Sequence, residues 1–490
     1  MAPPLRIVIV SFVDDNFGDN LIRISFQGLL HVALENHGLT SDDFELVPMP
    51  LKSVDADLIA GADAVFFAGG GLFGLSYLDF FTHLEQIVDI TDNHGIPVVF
   101  SSMGLNNMGA ENGSVDAIRG IVSRRSVKAV AVRENLPLFR ELVTGLPFEV
   151  RQVADPAVWT KYLYGMTDVV PDGSLGINVV RGGLFAANDR AWGLTAEMTY
   201  LSEVMEIAEA AGQNTQLYTN GSLDDNNTLR FFAREKKVPV DQVILPQTTR
   251  EVIEAIASRS AIASIRMHSS IIAYSFGIPS IALEWNDKLP HFYEAIGHPE
   301  RVIPFGEWSG ERSVEALRRA GSAPEADPGY RDYLMSTYDY IHEAVGTHVL
   351  KDRSLVGAPR HDFDGVADAL VRRSHLIDED ENDLRFKMGK AERAYLGRFI
   401  TIRSHEKKIS ELTRGSAERD QRISGLLQDS AALRDKLEEQ RAQIRRQKRE
   451  LDMRLTTRVA RRLRRLLSGS AASEKKSAQR DENTDSDPIR

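Results

Sequence analysis

The chain has 490 residues, 42% of them hydrophobic and 26% charged, and no cysteine. That length and balance fit a globular protein of roughly two or three domains and exclude disorder along the whole chain. The missing thiols exclude disulfides, thiolate metal sites, iron–sulfur clusters and a cysteine nucleophile, and no apolar run approaches the ~20 residues of a membrane-spanning helix.

The net charge of −11 is unevenly spread: residues 401–467 hold 19 Lys/Arg against 10 Asp/Glu, whereas the first 400 carry −19. An acidic body argues against nucleic acid as a partner, because phosphate contacts need clustered cations. Residues 1–13 lack the charged start and long apolar segment of a signal peptide, so the expected location is cytoplasmic.

In chain order, Arg6 to Val13 is a β-rich apolar run that ends at a polar stretch containing Gly18-Asp19-Asn20, and Leu21 to Asn36 follows with helical spacing. Strands are expected at Ala64–Ala68 and Pro97–Ser101 with a helix at Asp79–Asn93 between them, then strands at Val127–Val132 and Glu149–Ala154. Weak periodicity with Gly and Pro across Tyr162–Gly173 marks a domain junction. Alternation resumes with strands at Leu175–Val180, Thr215–Thr219, Gln242–Leu245, Ala261–Ile265 and Pro279–Glu284, and with helices at Thr195–Ala211, Thr249–Ser258 and His268–Phe276. Short apolar runs alternating with helical patterns predict parallel sheets. The expected fold class is α/β, with two Rossmann-like lobes (GT-B-like) at 1–165 and 170–325 and a cleft between them. Residues 326–400 read as a helical region packing on the body.

From Ile402 a seven-residue repeat sets in. Ile402, Ile409, Ile423, Leu437, Ile444 and Leu451 share one position and Leu412, Leu426 and Leu433 the partner position, interrupted by Ser416, Ser430, Arg419 and Gln440. The repeat predicts a coiled coil over 401–467 and, through it, a homo-oligomer; a long solvated helix is the plain alternative. At its end, Arg458 to Leu467 places five Arg beside Val459, Leu463, Leu466 and Leu467. Such a basic amphipathic helix either lies on anionic lipid, giving peripheral contact at the inner membrane surface, or simply ends the coiled coil. Residues 468–490 have the composition of a disordered tail.

Several residues at predicted strand ends have the chemistry to hold a small anion. In open α/β sheets, ligands bind at the carboxyl ends of strands. Gly18-Asp19-Asn20 and Gly69-Gly70-Gly71 are either ligand loops, where glycine permits close backbone approach, or plain turns. The triple glycine has neither dinucleotide nor P-loop spacing. Arg133 is either an anion clamp or half of an exposed pair with Glu134. Asp155 either caps the next segment or orients a sugar hydroxyl. Arg266 and His268 flank one helix start, where both can meet a phosphate and the imidazole can act as a general acid. Lys288 either reaches the same anion from the other side or is a surface lysine. No His pair has metal-ligand spacing, so no metal and no cofactor are expected; scattered carboxylates binding Mg²⁺ stay the open alternative.

This ordered set resembles the polysaccharide pyruvyl transferase family over about residues 5–310. The matching elements are Gly18-Asp19-Asn20, the triple glycine with Leu72, Val132-Arg133-Glu134, Ala154-Asp155-Pro156, Arg266-Met267-His268, and Gly277-Ile278-Pro279-Ser280 followed by Lys288 and Phe292. Ser269 stands where a Gly commonly follows the His, and Ser102-Met103-Gly104 replaces a more Gly-rich stretch. The resemblance implies transfer of the pyruvyl group of phosphoenolpyruvate to a glycan acceptor, forming a cyclic ketal and releasing phosphate. It implies that Arg133, Arg266 and His268 bind the donor or act on it. The expected set is His268 and Arg133 as catalytic groups, with Arg266, Lys288, Gly18, Asp19, Asn20, Gly69, Gly70, Gly71 and Asp155 in binding. Two other readings stay open: a nucleotide-sugar glycosyltransferase of similar bilobed shape, and a non-catalytic assembly protein whose body binds sugar.

Overall fold

The computed structural model describes residues 3–12, 17–73, 78–105, 114–181, 185, 193–320, 329–351, 359–377, 432–442 and 445–446. Residues 1–393 form one compact unit and residues 394–490 a second.

The first lobe runs β1 (Leu5–Ser11), α1 (Phe17–Asn36), β2 (Phe44–Pro50), α2 (Ala56–Ala60), β3 (Ala64–Phe67), α3 (Leu78–His94), β4 (Val98–Met103), α4 (Ser114–Val122), β5 (Val127–Val132), α5 (Leu136–Leu142) and β6 (Arg151–Gln152). Its strands form a six-stranded sheet in the order β2-β1-β3-β4-β5-β6, every pair parallel. A 3-10 turn at Pro156–Trp159 and α6 (Thr160–Leu163) lead to the second lobe.

That lobe runs β7 (Leu175–Asn178), α7 (Leu194–Ala210), β8 (Thr215–Tyr218), α8 (Leu223–Lys236), β9 (Val243–Ile244), α9 (Thr249–Ala257), β10 (Ala261–Ser264), α10 (Met267–Ser275), β11 (Ser280–Leu283), α11 (Lys288–Ala295), β12 (Val302–Ile303) and α12 (Gly310–Arg319). Its sheet is also parallel, in the order β12-β11-β10-β7-β8-β9. Both orders are doubly wound, with the strand order reversing between β1 and β3 in the first lobe and between β7 and β10 in the second. Crevices at such reversals are where α/β sheets hold ligands.

Strand residues alternate between cores, as the period of two requires. Ile7, Ile9, Phe66 and Val99 face a core shared with α1, α9, α10 and the second lobe's Ile262 and Ala282. Val8, Val10, Val65, Phe67, Val98 and Phe100 face the first lobe's outer core. Ile177, Leu217, Ala263 and Ile281 face the second lobe's outer core.

After the second lobe come α13 (Tyr330–Ala344) and α14 (Phe363–Arg373), and α13 packs against the first lobe. The Trp159 indole donates to the Leu334 carbonyl at 2.9 Å, the Tyr340 hydroxyl to the Phe100 carbonyl at 2.8 Å, and the Tyr338 hydroxyl to Asn36 Oδ1 at 3.0 Å. Burying three such aromatics contributes roughly 1.5–3 kcal/mol each.

Several details differ from the sequence expectation. Helix α1 starts at Phe17, so Gly18, Asp19 and Asn20 sit in its first turn rather than in a preceding loop. The strand expected at Glu149–Ala154 is limited to Arg151–Gln152, followed by one more bond to β5 from the Val153 N–H to the Val132 carbonyl at 2.9 Å; Ala154 is hydrogen-bonded to α13 instead. Strand β2 is absent from the sequence expectation; it carries Pro48 and Pro50 as an edge strand, where proline is tolerated.

Of the predicted coiled coil, residues 432–442 are helical and Leu433 is exposed; the rest of 401–467, apart from 445–446, and the tail 468–490 lie outside the described residues. Among the described residues, no helix is long and apolar enough to cross a membrane.

Candidate active site

Motifs from both sheets meet at the carboxyl ends of their strands. Arg133 follows β5, and its side chain is buried between two carboxylates. Nε donates to Glu134 Oε2 and Nη1 to Asp155 Oδ2, each at 2.7 Å. Against the cost of burial, these two acids hold the guanidinium above its ordinary pKa. Glu134 is itself fixed by the Leu105 backbone N–H at 2.9 Å, and Asp155 caps the next turn through the Ala157 N–H at 3.0 Å. Arg133–Glu134 is therefore a buried pair, not an exposed one, and Asp155 both caps and holds Arg133.

Glycine gives the space for this packing. A Cβ on Gly104 would lie 2.6 Å from Arg133 Nη2, so only glycine admits the guanidinium at that distance. The triple glycine after β3 supports the same loop. Gly69 and Gly70 take φ of +112° and +91°, and the Gly70 carbonyl accepts from the Gly104 N–H at 2.7 Å. Ser102, just before, holds φ of 53° at zero exposure, an L-residue in the left-handed region. Its hydroxyl is anchored to the Ala154 carbonyl at 2.8 Å. Backbone strain of this kind clusters at functional sites.

From the second lobe, Arg266 caps α10 and His268 is the helix's second residue. The Arg266 side chain binds Asp225 through Nε (3.0 Å) and Nη2 (2.7 and 2.8 Å). Its backbone N–H donates to Asn178 Oδ1 at 2.9 Å, tying β10 to β7 where the strand order reverses. Asp225 has no exposure and also accepts from the Arg181 N–H at 2.7 Å. Beside it lies Glu197, 1% exposed, with neither carboxyl oxygen hydrogen-bonded to another side chain. Burial, and next the Asp225 charge, push the Glu197 carboxyl up to about 8, so it is neutral at pH 7.

His268 crosses to the first lobe. Its ring lies against Gly18, where a Cβ would be 2.2 Å from Nδ1. Its Nε2 is 3.9 Å from Asp155 Oδ2, buried, and without a hydrogen-bond partner. Burial brings the imidazole down to about 4; Asp155 opposes this, while Arg133, Lys288 and Arg266 add to it. The free imidazole is neutral at pH 7. It does not titrate near neutrality as its type alone suggests. Lys288, first residue of α11, falls to about 8 through burial and the neighbouring Arg133 and Arg266, with Glu134 and Asp19 opposing. Arg133, Arg266, His268, Lys288, Asp19, Asp155 and Glu134 thus lie within one electrostatic neighbourhood.

That neighbourhood is polarised. The first lobe contributes Asp19, Glu134 and Asp155 against one cation, Arg133. The second contributes Arg266 and Lys288 against one anion, Asp225. Asn20 stands apart as a lobe-to-lobe tie, donating to Thr249 Oγ1 at 3.0 Å and accepting from Arg23 at 2.8 Å. Phe17 seals the same seam, since a Cβ on Gly221 would meet its ring at 1.9 Å. Among the described residues, no group of three His, Asp or Glu is arranged to hold a metal ion.

Asp225, Asn178 and Glu197 escape sequence reasoning, because only the fold brings them to Arg266. The one signal is Asp224-Asp225 in the first turn of α8, after Ser222.

The profile of the family described as polysaccharide pyruvyl transferase matches residues 10–287, which include every site residue above except Lys288. No curated protein sequence matches the chain. Among solved structures, the UDP-GlcNAc 2-epimerase of Methanocaldococcus jannaschii is 11% identical with a TM-score of 0.44, covering 70% of this chain and 100% of its own. The Neisseria meningitidis UDP-GlcNAc 2-epimerase gives 11% and 0.42, covering 71% and 100%. An E. coli heptosyltransferase with ADP gives 12% and 0.36, covering 65% and 100%.

Proposed function

Because the chain belongs to the polysaccharide pyruvyl transferase family, we propose that it transfers the pyruvyl group of phosphoenolpyruvate to a sugar diol of a surface polysaccharide or its precursor. The supporting observation is the meeting of Arg133, Arg266, His268 and Lys288 at the strand ends of two lobes.

The donor is a carboxylate and a phosphate a few atoms apart, and the second-lobe side carries the net positive charge that suits it. Lys288, Arg266 and the N-terminus of α10 provide the attraction. Arg133 uses two of its five N–H groups on carboxylates, which fixes its rotamer and pre-orients the others.

His268 receives its proton when the donor binds. A unit charge ~4 Å away at an effective dielectric of about 20 interacts by about 4 kcal/mol, or roughly three pKa units. A bound phosphate dianion therefore lifts the imidazole from about 4 past neutrality. The imidazolium protonates the methylene carbon, the sugar hydroxyl attacks the central carbon, and the C–O bond to phosphate breaks as the second hydroxyl closes the ketal. One hydroxyl proton restores His268, balancing the one given to the methyl group, and the other leaves on hydrogen phosphate. Asp19, on the first-lobe side, is the candidate base that takes the first hydroxyl proton and passes it to His268; Asp155, engaged by Arg133 and Ala157, has a positioning part.

A donor made inside the cell places this work in the cytoplasm. The heptads would make the enzyme a homo-oligomer, and the basic end of the 401–467 segment would hold it near anionic lipid.

The test is to incubate the full chain with phosphoenolpyruvate and diol-bearing sugars, measuring phosphate and ketal together. Equimolar formation is expected. Protection from unfolding by a nucleoside diphosphate but not by phosphoenolpyruvate would instead favour a glycosyltransferase.

A further inference from the structure

Of the three arginines buried among the described residues, two hold carboxylates. Arg133 meets Asp155 at 2.7 Å, and Arg259 meets Asp172 at 2.7 Å and donates to Ser174 Oγ at 2.7 Å. The third, Arg301, is 5% exposed and differs. Its Nε has no hydrogen-bond partner, and its one ion pair among the described residues, with Glu300, spans 3.9 Å. A buried guanidinium held in this way has lost its water without gaining a bonded anion, which is destabilising.

Arg301 ends a 3-10 turn (Pro299–Arg301) and leads into β12, the outer edge strand of the second sheet. It lines a cavity of about 500 Å³ between that strand and α12, within the roughly 300–1,000 Å³ range of ligand sites. Arg301 stands at the amino end of β12, whereas Arg266 and His268 follow the carboxyl end of β10, so the two sites are separate. The rest of the lining sets the character of a ligand. Its other arginines are already matched, Arg312 by Glu307 and Arg319 by Glu315. Glu300, Glu311 and Glu315 also line it; they oppose a dianion and can accept from hydroxyls. Ala316 and Ala320, one turn apart on α12, add a patch of methyl groups.

We propose that this cavity binds a saccharide unit bearing a single carboxylate. The carboxylate meets the Arg301 guanidinium, the sugar hydroxyls donate to the glutamates, and the apolar face of the ring rests on Ala316 and Ala320. One buried cation among acids selects a monoanion, and the glutamates reward a ligand with hydroxyls over a bare carboxylate. The inference goes beyond the pyruvyl-transfer reading and does not rest on it. It gives the second lobe a glycan contact of its own, away from the cluster at the strand ends.

The probe is methyl β-glucuronide, titrated into the full chain by calorimetry, with methyl β-glucoside as the neutral control and inorganic phosphate and phosphoenolpyruvate as competitors. The glucuronide should bind at least about tenfold more tightly than the glucoside, the worth of one charge-assisted hydrogen bond, and neither competitor should displace it. In Arg301→Met, which has a side chain of similar length, glucuronide affinity should fall at least about tenfold. The melting temperature of the free variant should hold or rise, because a buried charge without a bonded partner has gone. A marked fall in melting temperature, or a variant that does not fold, would show the guanidinium to be satisfied in the free protein and overturn the proposal. So would a wild type that does not bind the glucuronide or binds the glucoside equally well, displacement by either competitor, or unchanged affinity in Arg301→Met.

Discussion

The contact between Gly18 and His268 makes a sharp prediction. A Cβ added at Gly18 would sit 2.2 Å from His268 Nδ1, 2.7 Å from Cγ and 3.0 Å from Cε1, where ordinary contact begins at 3.4 Å. The imidazole must retreat by about 1 Å, or α1 must move away from α10. Overpacking of this kind costs about 1–3 kcal/mol. Gly18 lies in a helix at a negative φ, where alanine would otherwise be favoured by up to about 1 kcal/mol. Gly18→Ala is therefore expected to destabilise by roughly 1–2 kcal/mol in the wild type. In a His268→Ala background, where the ring is gone, it should be neutral or slightly stabilising. The coupling in the double-mutant cycle should reach about 2 kcal/mol, measured by urea unfolding of the four proteins. A displacement of about 1 Å at an acid–base group should also lower turnover by about a hundredfold. Equal destabilisation in both backgrounds, or full activity in Gly18→Ala, would refute the placement of the ring.

Three further expectations follow from the same geometry. His268 is depressed to about 4 in the fold against about 6.5 unfolded, so its contribution to stability is complete above pH 6.5 and lost as pH falls through 4. Roughly 3 kcal/mol of acid sensitivity should disappear in His268→Gln, read as a flatter stability profile over that window; an identical slope would contradict the burial of the imidazole. With Lys288 near 8, an amine-acylating reagent at pH 8 should label it ahead of ordinary surface lysines, and phosphoenolpyruvate should slow the labelling; peptide mapping that finds it among the slowest would count against its altered acidity. Deleting residues 401–467 should lower the solution mass by light scattering to that of a monomer, and an unchanged mass would reject self-association through the heptads.

Much of the fold was readable because strands such as Val127–Val132 are short β-branched runs bounded by polar turns, and their alternation with helical patterns admits few topologies. Helix α8 was hidden by composition: Leu223–Lys236 is mostly polar, and its Asp225 and Asn226 are buried by tertiary pairing that no periodicity reveals. The site divides in the same way. Arg133, Arg266, His268 and Lys288 stand out as charged residues at strand ends. Their partners do not, because Asp225 lies 41 residues from Arg266 and Asp155 lies 22 from Arg133. The sequence suggested open cations awaiting a dianion; the fold shows guanidiniums already held by carboxylates, which fix their direction. The imidazole's low pKa was equally hidden, since it follows from burial and three neighbouring cations supplied by both lobes.

The central claim is that a donor anion enters this cluster and recharges His268, and proton-linked calorimetry tests it most directly. Phosphoenolpyruvate is titrated into the full chain at pH 8, where the free donor is fully ionised, in two buffers of different ionisation enthalpy. The account predicts uptake of about one and a half protons on binding, one on His268 and about half on Lys288, which is half-protonated at this pH, falling to about half a proton in His268→Gln. Binding with no proton uptake, or uptake undiminished in His268→Gln, would contradict it.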